Sequence, residues 1–372
     1  MASRFAPRIA ILGRALARRI ASRHRARPAQ PRRILVAHHL LLGDTLMLTP
    51  LLAKIRALHP QAEIAMTVPL AFAGLYSGRP YGVRTLAWDP RDVATVGRLL
   101  DEPEFDLAFV PGDNRHAWLA QAMGARWIVA FGGDRPGYKS WPVDELREYP
   151  ATPGAWFDIT ATLVDGPAPA PFRPGDWPAP VAKPPAIPES SYCVLHVGAS
   201  SPLKLWEPER WAALAAALRA RGLRIAWSAG RGEEGLVAAC APRADDAQFA
   251  GRLDLAELWH LLRRARLVVA PDTGVAHLAR IAGAPTLALF GPGSAVLAGS
   301  GDFWRNNRYR ALGVEPFACR DQHMLFKREI QWVSICKRSL GECSSPRCMA
   351  AIGLAAAVEA CEELLGNQEI PA

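Results

Sequence analysis

Short apolar runs rich in β-branched residues alternate along the chain with helical stretches, a pattern typical of a parallel sheet with crossover helices. A run at 34–37 leads through a polar turn into a helix predicted for 46–58, and a second strand is predicted for 64–68. A similar run at 192–197 precedes a helix predicted for 208–221. The repeated strand–helix–strand order predicts an α/β fold built from more than one such unit.

One stretch in the second half combines this pattern with candidate anion ligands. A buried strand is predicted for 266–270 and a helix for 275–281, with Asp272 or Thr273 placed to cap that helix. Open α/β sheets bind ligands at the carboxyl ends of their strands, and the N–H groups and dipole of a helix start favour phosphate. His277 lies one turn further, on the side that can face the same anion. A capped helix with a packed histidine is the structural alternative.

Two other turns carry candidate ligands for a nucleotide. Small residues after the strand at 192–197 let backbone N–H groups approach a diphosphate, which Lys204 can neutralise. Ser200 and Lys204 are the predicted phosphate contacts, and an ordinary turn with a surface lysine is the alternative. A glycine-rich turn with Glu233 and Glu234 follows the next predicted strand.

The first predicted strand also ends in a polar turn. It begins with His38, has Gly43 where the chain must turn tightly, and places Asp44 at the start of the following helix. A plain helix-capping carboxylate is the structural interpretation of Asp44.

A proline-rich stretch divides the chain into two halves. Residues 165–190 contain nine prolines, which cannot continue a helix or a central strand, so a semi-rigid linker is predicted there. The predicted organisation is a segment at 1–33, a domain at 34–164, the linker, and a domain at 191–372 that closes with a helix. A chain of 372 residues can form two domains with separate cores.

The positive charge is concentrated at the beginning of the chain. The formal net charge is +9, but residues 1–33 contain ten Arg and no Asp or Glu, which leaves 34 basic and 35 acidic residues. The remainder is therefore nearly neutral, and nucleic acid is not an expected partner.

The basic segment at 1–33 has the period of an amphipathic helix. Its arginines flank or oppose one narrow apolar stripe. The residues of this stripe are Phe5, Ile9, Leu12, Leu16 and Ile20. A basic amphipathic helix suits the surface of an anionic membrane, so we expect a membrane-surface contact here, with a disordered basic tail as the alternative.

The sequence favours a cytoplasmic protein. No run of about 18 apolar residues is free of charge, and the chain start lacks the apolar region and cleavage site of a secretory signal. The seven cysteines are an odd number, which argues for a reducing compartment.

Four of the cysteines lie close together in the sequence. They are Cys319, Cys336, Cys343 and Cys348. Their spacing is looser than the Cys-x-x-Cys pairs of a zinc ribbon, so zinc ligands, free or buried thiols and disulfide partners all stay open.

Several of these stretches together resemble the motifs of glycosyltransferase family 9, the bacterial heptosyltransferases. Residues 272–279 read Asp-Thr-Gly-Val-Ala-His-Leu-Ala and residues 283–291 read Gly-Ala-Pro-Thr-Leu-Ala-Leu-Phe-Gly, similar to the nucleotide-sugar signature of the family. The Gly-Ala-Ser…Lys-x-Trp stretch at 198–206 resembles a second motif. The similarity extends from about residue 34 to about residue 365.

The opening motif matches the family in part. His38 stands where the family often has Arg, and Leu40 and Leu41 replace serines. The positions that match are Gly43, Asp44, Thr49 and Pro50. The catalytic carboxylate of the family is therefore present, whereas polar contacts to the acceptor are reduced.

This resemblance implies a GT-B fold, with two Rossmann-like, doubly wound α/β domains facing a central cleft. It implies an inverting transferase that moves a heptose or a related sugar from ADP-heptose to a lipopolysaccharide core acceptor, with Asp44 as general base. The residues implied to bind the nucleotide sugar are Ser200, Lys204, Glu233, Glu234, Asp272, Thr273, Gly274 and His277, and those implied to bind the acceptor are His38 and Gly43. Glu234 is expected to accept the ribose hydroxyls, with Glu233 as the alternative.

The resemblance also bears on cofactors and location. One base without a second carboxylate nucleophile implies a single displacement with inversion. No Asp-x-Asp motif is present, so we expect no metal or other cofactor to be required, although the sequence does not exclude a divalent ion. The expected location is the cytoplasm, peripherally on the inner membrane.

Other functions stay open at this point. A related nucleotide-sugar transferase could act on another cell-surface glycan, and a non-catalytic nucleotide-sugar-binding module could keep the same fold. Asp44 and Lys204 favour an enzyme. A dinucleotide oxidoreductase is disfavoured because no Gly-x-Gly-x-x-Gly follows a predicted strand.

Overall fold

The computed structural model describes residues 5–21, 26–186 and 190–366. The chain divides into two compact units. The first comprises Met1–Ala170 and Met324–Trp332, and the second comprises Pro171–His323 and Val333–Ala372. The division after Ala170 falls inside the stretch predicted as a linker. Met324–Trp332 belongs to the first unit, whereas the predicted domain limits put it in the second.

The first unit is built on a six-stranded parallel sheet. Its strands are β1 (Arg33–Val36), β2 (Glu63–Pro69), β3 (Val83–Trp88), β4 (Leu107–Val110), β5 (Trp127–Phe131) and β6 (Glu145–Arg147). Its helices are α1 (Phe5–Ala21), α2 (Leu42–Leu46), α3 (Thr49–Leu58), α4 (Val93–Leu100), α5 (Arg115–Ala122) and α6 (Trp156–Ala161). The strand order is β3-β2-β1-β4-β5-β6, so the winding direction switches between β1 and β4. Ligands of open α/β sheets bind at the carboxyl ends of the strands at such a switch point.

Two helices follow β1 where one was predicted for 46–58. Helix α2 ends at Leu46 and α3 begins at Thr49. Pro50 lacks an N–H and disfavours helical backbone in the residue before it, so one continuous helix would lose a hydrogen bond there. In the first turn of α3 the missing N–H costs nothing. The break places Asp44 in the first turn of the short helix α2.

Helix α1 packs on the first unit through the side opposite its apolar stripe. Ala15 is fully buried, and Ile11 packs against the same hydrophobic cluster, which also contains residues of α4 and α5. Arg18 forms an ion pair with Glu104, and Arg19 forms one with Asp144. The described part of the segment is therefore folded. Within the described ranges, no helix combines the length and the apolar character needed to cross a membrane.

The segment Met324–Trp332 contributes a hairpin to the first unit. Strands β13 (Met324–Leu325) and β14 (Arg328–Glu329) pair antiparallel, and the two residues between them have positive φ angles of 46° and 65°. Arg328 is 2% exposed. Its guanidinium donates to the backbone oxygens of Gly112, Phe131 and Gly132 and to Oδ1 of Asn114. These acceptors lie at or just after the ends of β4 and β5, so Arg328 fastens the hairpin to the carboxyl edge of the sheet.

The second unit is built on another six-stranded parallel sheet, of order β12-β11-β10-β7-β8-β9. Its strands are β7 (Tyr192–His196), β8 (Arg224–Ser228), β9 (Ala247–Gln248), β10 (Leu267–Pro271), β11 (Thr286–Phe290) and β12 (Tyr309–Gly313). Its helices are α7 (Pro208–Ala220), α8 (Glu234–Ala239), α9 (Leu255–Arg263), α10 (Gly274–Ala282), α11 (Ala295–Ala298), α12 (Arg347–Ala350) and α13 (Leu354–Leu365). The switch point of this sheet lies between β7 and β10.

Helices cover both faces of the second sheet. Val269 faces a cluster that includes residues of α7 and α13, whereas the next residue, Ala270, faces a cluster that includes Ala276 of α10. Successive residues of a strand point to opposite faces, so a strand that is covered on both sides must be apolar throughout. This explains why the strands are visible in the sequence as uninterrupted apolar runs.

Candidate active site

The loops after β7 and β10 meet at the switch point of the second sheet. Lys204, in the first loop, donates from Nζ to the backbone oxygen of Asp272 at 2.6 Å and to its Oδ2 at 2.9 Å. A lysine ammonium has three N–H donors, so one donor stays available to an anion. The structure thus brings together two residues predicted for the same site from stretches 68 residues apart.

Helix α10 begins in this loop with an uncapped N-terminus. Thr273 is the N-cap residue, but its side chain makes no capping bond, and among the described residues its buried Oγ1 has no hydrogen-bond partner. The capping role predicted for Asp272 or Thr273 therefore falls to Thr273 by position, without its usual bond. The first N–H groups of this nine-residue helix, starting at Gly274, are available to an anion, which the helix dipole also favours.

His277 lies near this helix start and is buried. Arg280 Nη2 is 3.2 Å from its Nδ1, and since a guanidinium can only donate, Nδ1 accepts and Nε2 carries the proton. Burial lowers the pKa of His277 well below its usual value, and the positive charges of Arg280 and Lys204 add to this effect. His277 is therefore a neutral hydrogen-bond donor at neutral pH.

Glu233 and Glu234 occupy different environments. The carboxylate of Glu233 accepts from Gly230 N at 2.7 Å and from Ala199 N at 3.2 Å, so it joins the loops that follow β8 and β7. A Cβ atom at Gly198 would lie 2.0 Å from Glu233 Oε2, so a side chain at this position would displace the carboxylate. Glu234 is exposed and accepts from an N–H of its own turn at 3.1 Å. Ser200, in the loop after β7, is also exposed.

The loop after β1 carries the residues of the first unit that the sequence predicts for the acceptor site and for the general base. Asp44 and Gly43 are partly exposed at the start of α2. His38 is fully buried, and its Nδ1 accepts from Leu40 N at 3.2 Å, which assigns the proton to Nε2. That Nε2 has no partner among the described residues. Burial lowers the pKa of His38 well below its usual value, so this imidazole is neutral.

A buried charge network beside this loop was missed by sequence reasoning. Lys139 is 6% exposed, and its Nζ is 2.9 Å from Asp134 Oδ1 and 3.2 Å from Asp113 Oδ1. Lys139 is therefore a buried member of this network although it lies in a stretch rich in glycine and proline. Burial opposes ionisation of Asp113, but hydrogen bonds from Arg115 and the attraction of Lys139 hold its pKa below the ordinary value. Asp134 and Lys139 lie in the loop after β5 whereas Asp113 follows β4, so no local pattern shows that the three side chains meet.

The cysteines near the end of the second unit are free thiols in the structure. Cys319, Cys336 and Cys343 are partly buried, and Cys348 is buried. Arg338 Nη1 donates to the backbone oxygen of Cys319 and lies 3.7 Å from Cys336 Sγ. Within the described ranges, no three His, Cys, Asp or Glu side chains are arranged to hold a metal ion.

Comparison with known proteins relates this chain to the glycosyltransferase family that its sequence motifs resemble. Residues 93–322 match the model of glycosyltransferase family 9 (heptosyltransferase). The chain is 30% identical over 254 residues to lipopolysaccharide heptosyltransferase 1 of Pseudomonas aeruginosa, which covers 64% of this chain and 67% of that protein. A family 9 glycosyl transferase from Veillonella parvula has a similar fold, with a TM-score of 0.69, 16% identity, and coverage of 90% of this chain and 97% of that one. For ADP-heptose lipopolysaccharide heptosyltransferase II of E. coli the TM-score is 0.66 at 17% identity, with 90% and 98% covered.

Two doubly wound parallel sheets, each with predicted site residues at its switch point, define a protein of the GT-B fold. Within that class, the chain belongs to glycosyltransferase family 9, the heptosyltransferases. The fold class, the enzyme class and the family expected from the sequence motifs are confirmed.

Proposed function

We propose that this protein is an inverting transferase that moves a heptose or a related sugar from ADP-heptose to a lipopolysaccharide core acceptor. The observation that carries the proposal is the anion site formed by Lys204, His277 and the uncapped start of α10. A nucleoside diphosphate sugar presents the diphosphate that such a site would bind. The E. coli relative is named for ADP-heptose and lipopolysaccharide, and the P. aeruginosa relative for lipopolysaccharide.

In this proposal the second unit stabilises the charge of the departing ADP. The remaining N–H of Lys204, the first N–H groups of α10 and the Nε2–H of His277 donate to the diphosphate as its negative charge grows. Ser200 adds a hydroxyl from the loop after β7, and Asp272 orients Lys204. Because Glu233 lies between two loops of the site, we assign it to the ribose hydroxyls, with the exposed Glu234 as the alternative.

The first unit supplies the general base. Asp44 would take a proton from an acceptor hydroxyl as that oxygen attacks the anomeric carbon, in one displacement with inversion. Positive charge develops on the sugar ring during this step. Gly43, next to Asp44, is assigned to the acceptor contact, and the buried His38 holds the loop through its bond to Leu40. All charge stabilisation in this mechanism is assigned to protein groups.

A reconstituted reaction tests the proposal. The purified protein, ADP-heptose and a core acceptor should yield ADP and an acceptor heavier by one heptose. Mass spectrometry of core oligosaccharide from a strain without the protein should show the loss of that sugar. Transfer to a different cell-surface glycan would replace the proposal with the related transferase, and ADP binding without any transfer would favour the non-catalytic module.

We further infer that the first unit lies peripherally on the cytoplasmic face of the inner membrane through α1. All residues of the apolar stripe are exposed: Phe5 by 71%, Ile9 by 53%, Leu12 by 43%, Leu16 by 51% and Ile20 by 79%. The stripe points outward because the opposite side of the helix is packed on the unit. Flanking arginines add on the order of 1 kcal/mol each at an anionic surface, less at high salt.

The membrane inference is best tested without removing the helix, because deletion would also remove the buried Ala15 from the core. A Leu12→Gln/Leu16→Gln double variant changes exposed positions alone and should sediment less with phosphatidylglycerol vesicles than the wild type. Leu340→Gln, at a site of the second unit that is 54% exposed, is the matched control. Equal sedimentation of the double variant and the wild type would refute the inference.

A further inference from the structure

Tyr138 and Trp141 form an exposed aromatic pair on the first unit. They are 54% and 70% exposed, and their rings meet edge-on with centroids 6.4 Å apart. Of the twelve tryptophans of the chain, Trp141 is exposed, whereas the other eleven are buried or half-buried. Aromatic rings are among the side chains that gain most from leaving water, so an exposed pair indicates a surface that contacts a partner.

The outward direction of this pair is fixed by its neighbours in the loop. Lys139 is held inside by its ion pairs with Asp113 and Asp134, and Val143 packs against the hydrophobic cluster beneath α1 and α5. Tyr138 is held through its backbone oxygen, which accepts from Trp118 Nε1 at 3.2 Å. The rings are therefore displayed by an anchored loop.

The loop that carries the pair is tied to helix α1. Arg19 Nη1 of α1 is 2.9 Å from Asp144 Oδ1, and Asp144 Oδ2 accepts from Ile128 N at 3.0 Å. Trp141 precedes Asp144 by three residues, a distance that an extended chain spans in about 10 Å. Asp144 thus ties the loop that carries Trp141 to the C-terminal turn of α1, the helix whose exposed apolar stripe ends at Ile20.

The charges around the pair favour an anionic surface. Arg135 of the loop is exposed, and the carboxylates of Asp134 and Asp144, which lie before and after the pair in the sequence, are each held in an ion pair. Tyrosine and tryptophan combine an apolar body with a polar tip, which suits the headgroup region of a bilayer.

We propose that Tyr138 and Trp141 form a second membrane contact, which joins the α1 stripe in one lipid-binding surface on anionic bilayers. The proposal rests on the membrane association inferred for α1. It adds a second attachment point that fixes how the first unit is rotated on the membrane, which a single helix alone would leave free.

Quenching by brominated phosphatidylglycerol tests the proposal on the full chain. Vesicles with brominated acyl chains should quench part of the wild-type tryptophan fluorescence, and Trp141→Phe should remove most of that quenching. If Trp141→Phe binds the vesicles and is quenched as strongly as the wild type, Trp141 is not in the bilayer and the proposal is overturned, while the role of α1 stands. If the wild type does not sediment with the vesicles, both inferences fail.

A second measurement separates lipid from a protein partner. Tyr138→Ala/Trp141→Ala should lower the vesicle partition coefficient several-fold, whereas the exposed Leu340→Ala control should leave it unchanged. The oligomeric state without lipid should be the same for all three proteins. If the wild type is dimeric and the aromatic double variant is monomeric, the surface joins two copies of the chain and the lipid proposal is overturned.

Discussion

Lys204 Nζ donates to both the backbone oxygen and Oδ2 of Asp272, at 2.6 Å and 2.9 Å. The bond joins the loops that follow two adjacent strands, so the ammonium is fixed at the switch point of the second sheet. A positive charge that is oriented in advance loses little side-chain entropy when an anion binds.

Lys204→Ala should weaken ADP binding by about tenfold or more, because charge-assisted hydrogen bonds contribute about 1.5–3 kcal/mol. Isothermal titration calorimetry with ADP measures the change. Lys183→Ala, which alters an exposed lysine of the same unit, is the control and should bind ADP normally. Unchanged affinity in Lys204→Ala would remove this lysine from the proposed diphosphate site.

His277→Ala should also weaken ADP binding, whereas His277→Gln should retain part of the affinity. The reason is that the imidazole is neutral and contributes an N–H donor, which the glutamine amide can replace. Calorimetry on the two variants distinguishes a donor from a cation, since a required positive charge would make both variants equally weak.

Asp44→Asn should bind ADP normally and turn over at least about 100-fold more slowly, which corresponds to about 3 kcal/mol of barrier. The amide keeps the shape of the side chain but cannot take the acceptor proton. Steady-state turnover with calorimetry on the same preparation measures both quantities. Asp101→Asn, at an exposed position after α4, serves as the control. Near-normal turnover in Asp44→Asn would show that this carboxylate is not the general base and serves only at the start of its helix.

The stability of the second unit should depend on pH through His196. Burial lowers its pKa to about 4, so the folded state resists the proton that the unfolded state takes up near pH 6.5. The contribution is complete above pH 6.5 and is lost as pH falls toward 4, which amounts to about 2 kcal/mol between pH 8 and pH 5. Urea unfolding at the two pH values should show a smaller difference for His196→Gln than for the wild type. An identical difference would show that this histidine is not the source.

Arg328→Met should destabilise the first unit by about 3 kcal/mol, because it leaves several buried oxygens without their donor and leaves Asp134 with Lys139 as its remaining cation. Urea unfolding measures the loss, and hydrogen exchange should locate it near Gly112 and Gly132. Lys327→Ala, at the exposed tip of the same hairpin, should have little effect. Equal stability of Arg328→Met and the wild type would contradict the anchoring role.

Much of the sheet structure and the anion site could be predicted because both depend on local sequence. Strands covered on both faces must be apolar throughout, and the turn before α10 needs its small and polar residues within a few positions. The two-helix start at α2 and α3 was also readable in principle, from Pro50. Strand β6 was missed because it is a short edge strand with polar residues in a region rich in glycine and proline.

No local pattern in the sequence predicts the hairpin or its contact with the first sheet. Arg328 donates to Gly112 across 216 residues of sequence, and nothing near either position indicates the other. The sequence also does not show which side of α1 packs against the first unit. The periodicity predicts an apolar stripe, but only the packing of Ala15 shows that the stripe is the side left outside.

Because Met324–Trp332 belongs to the first unit, the two units cannot be separated by a single cut in the chain. The chain passes from one unit to the other after Ala170, after His323 and after Trp332. A protease that cuts the proline-rich stretch would therefore leave both products held together by the hairpin. A recombinant fragment that ends at Ala170 would lack Arg328, so the backbone oxygens that this arginine binds would lose their donor. An added peptide with the sequence of the hairpin would be needed to complete the fold.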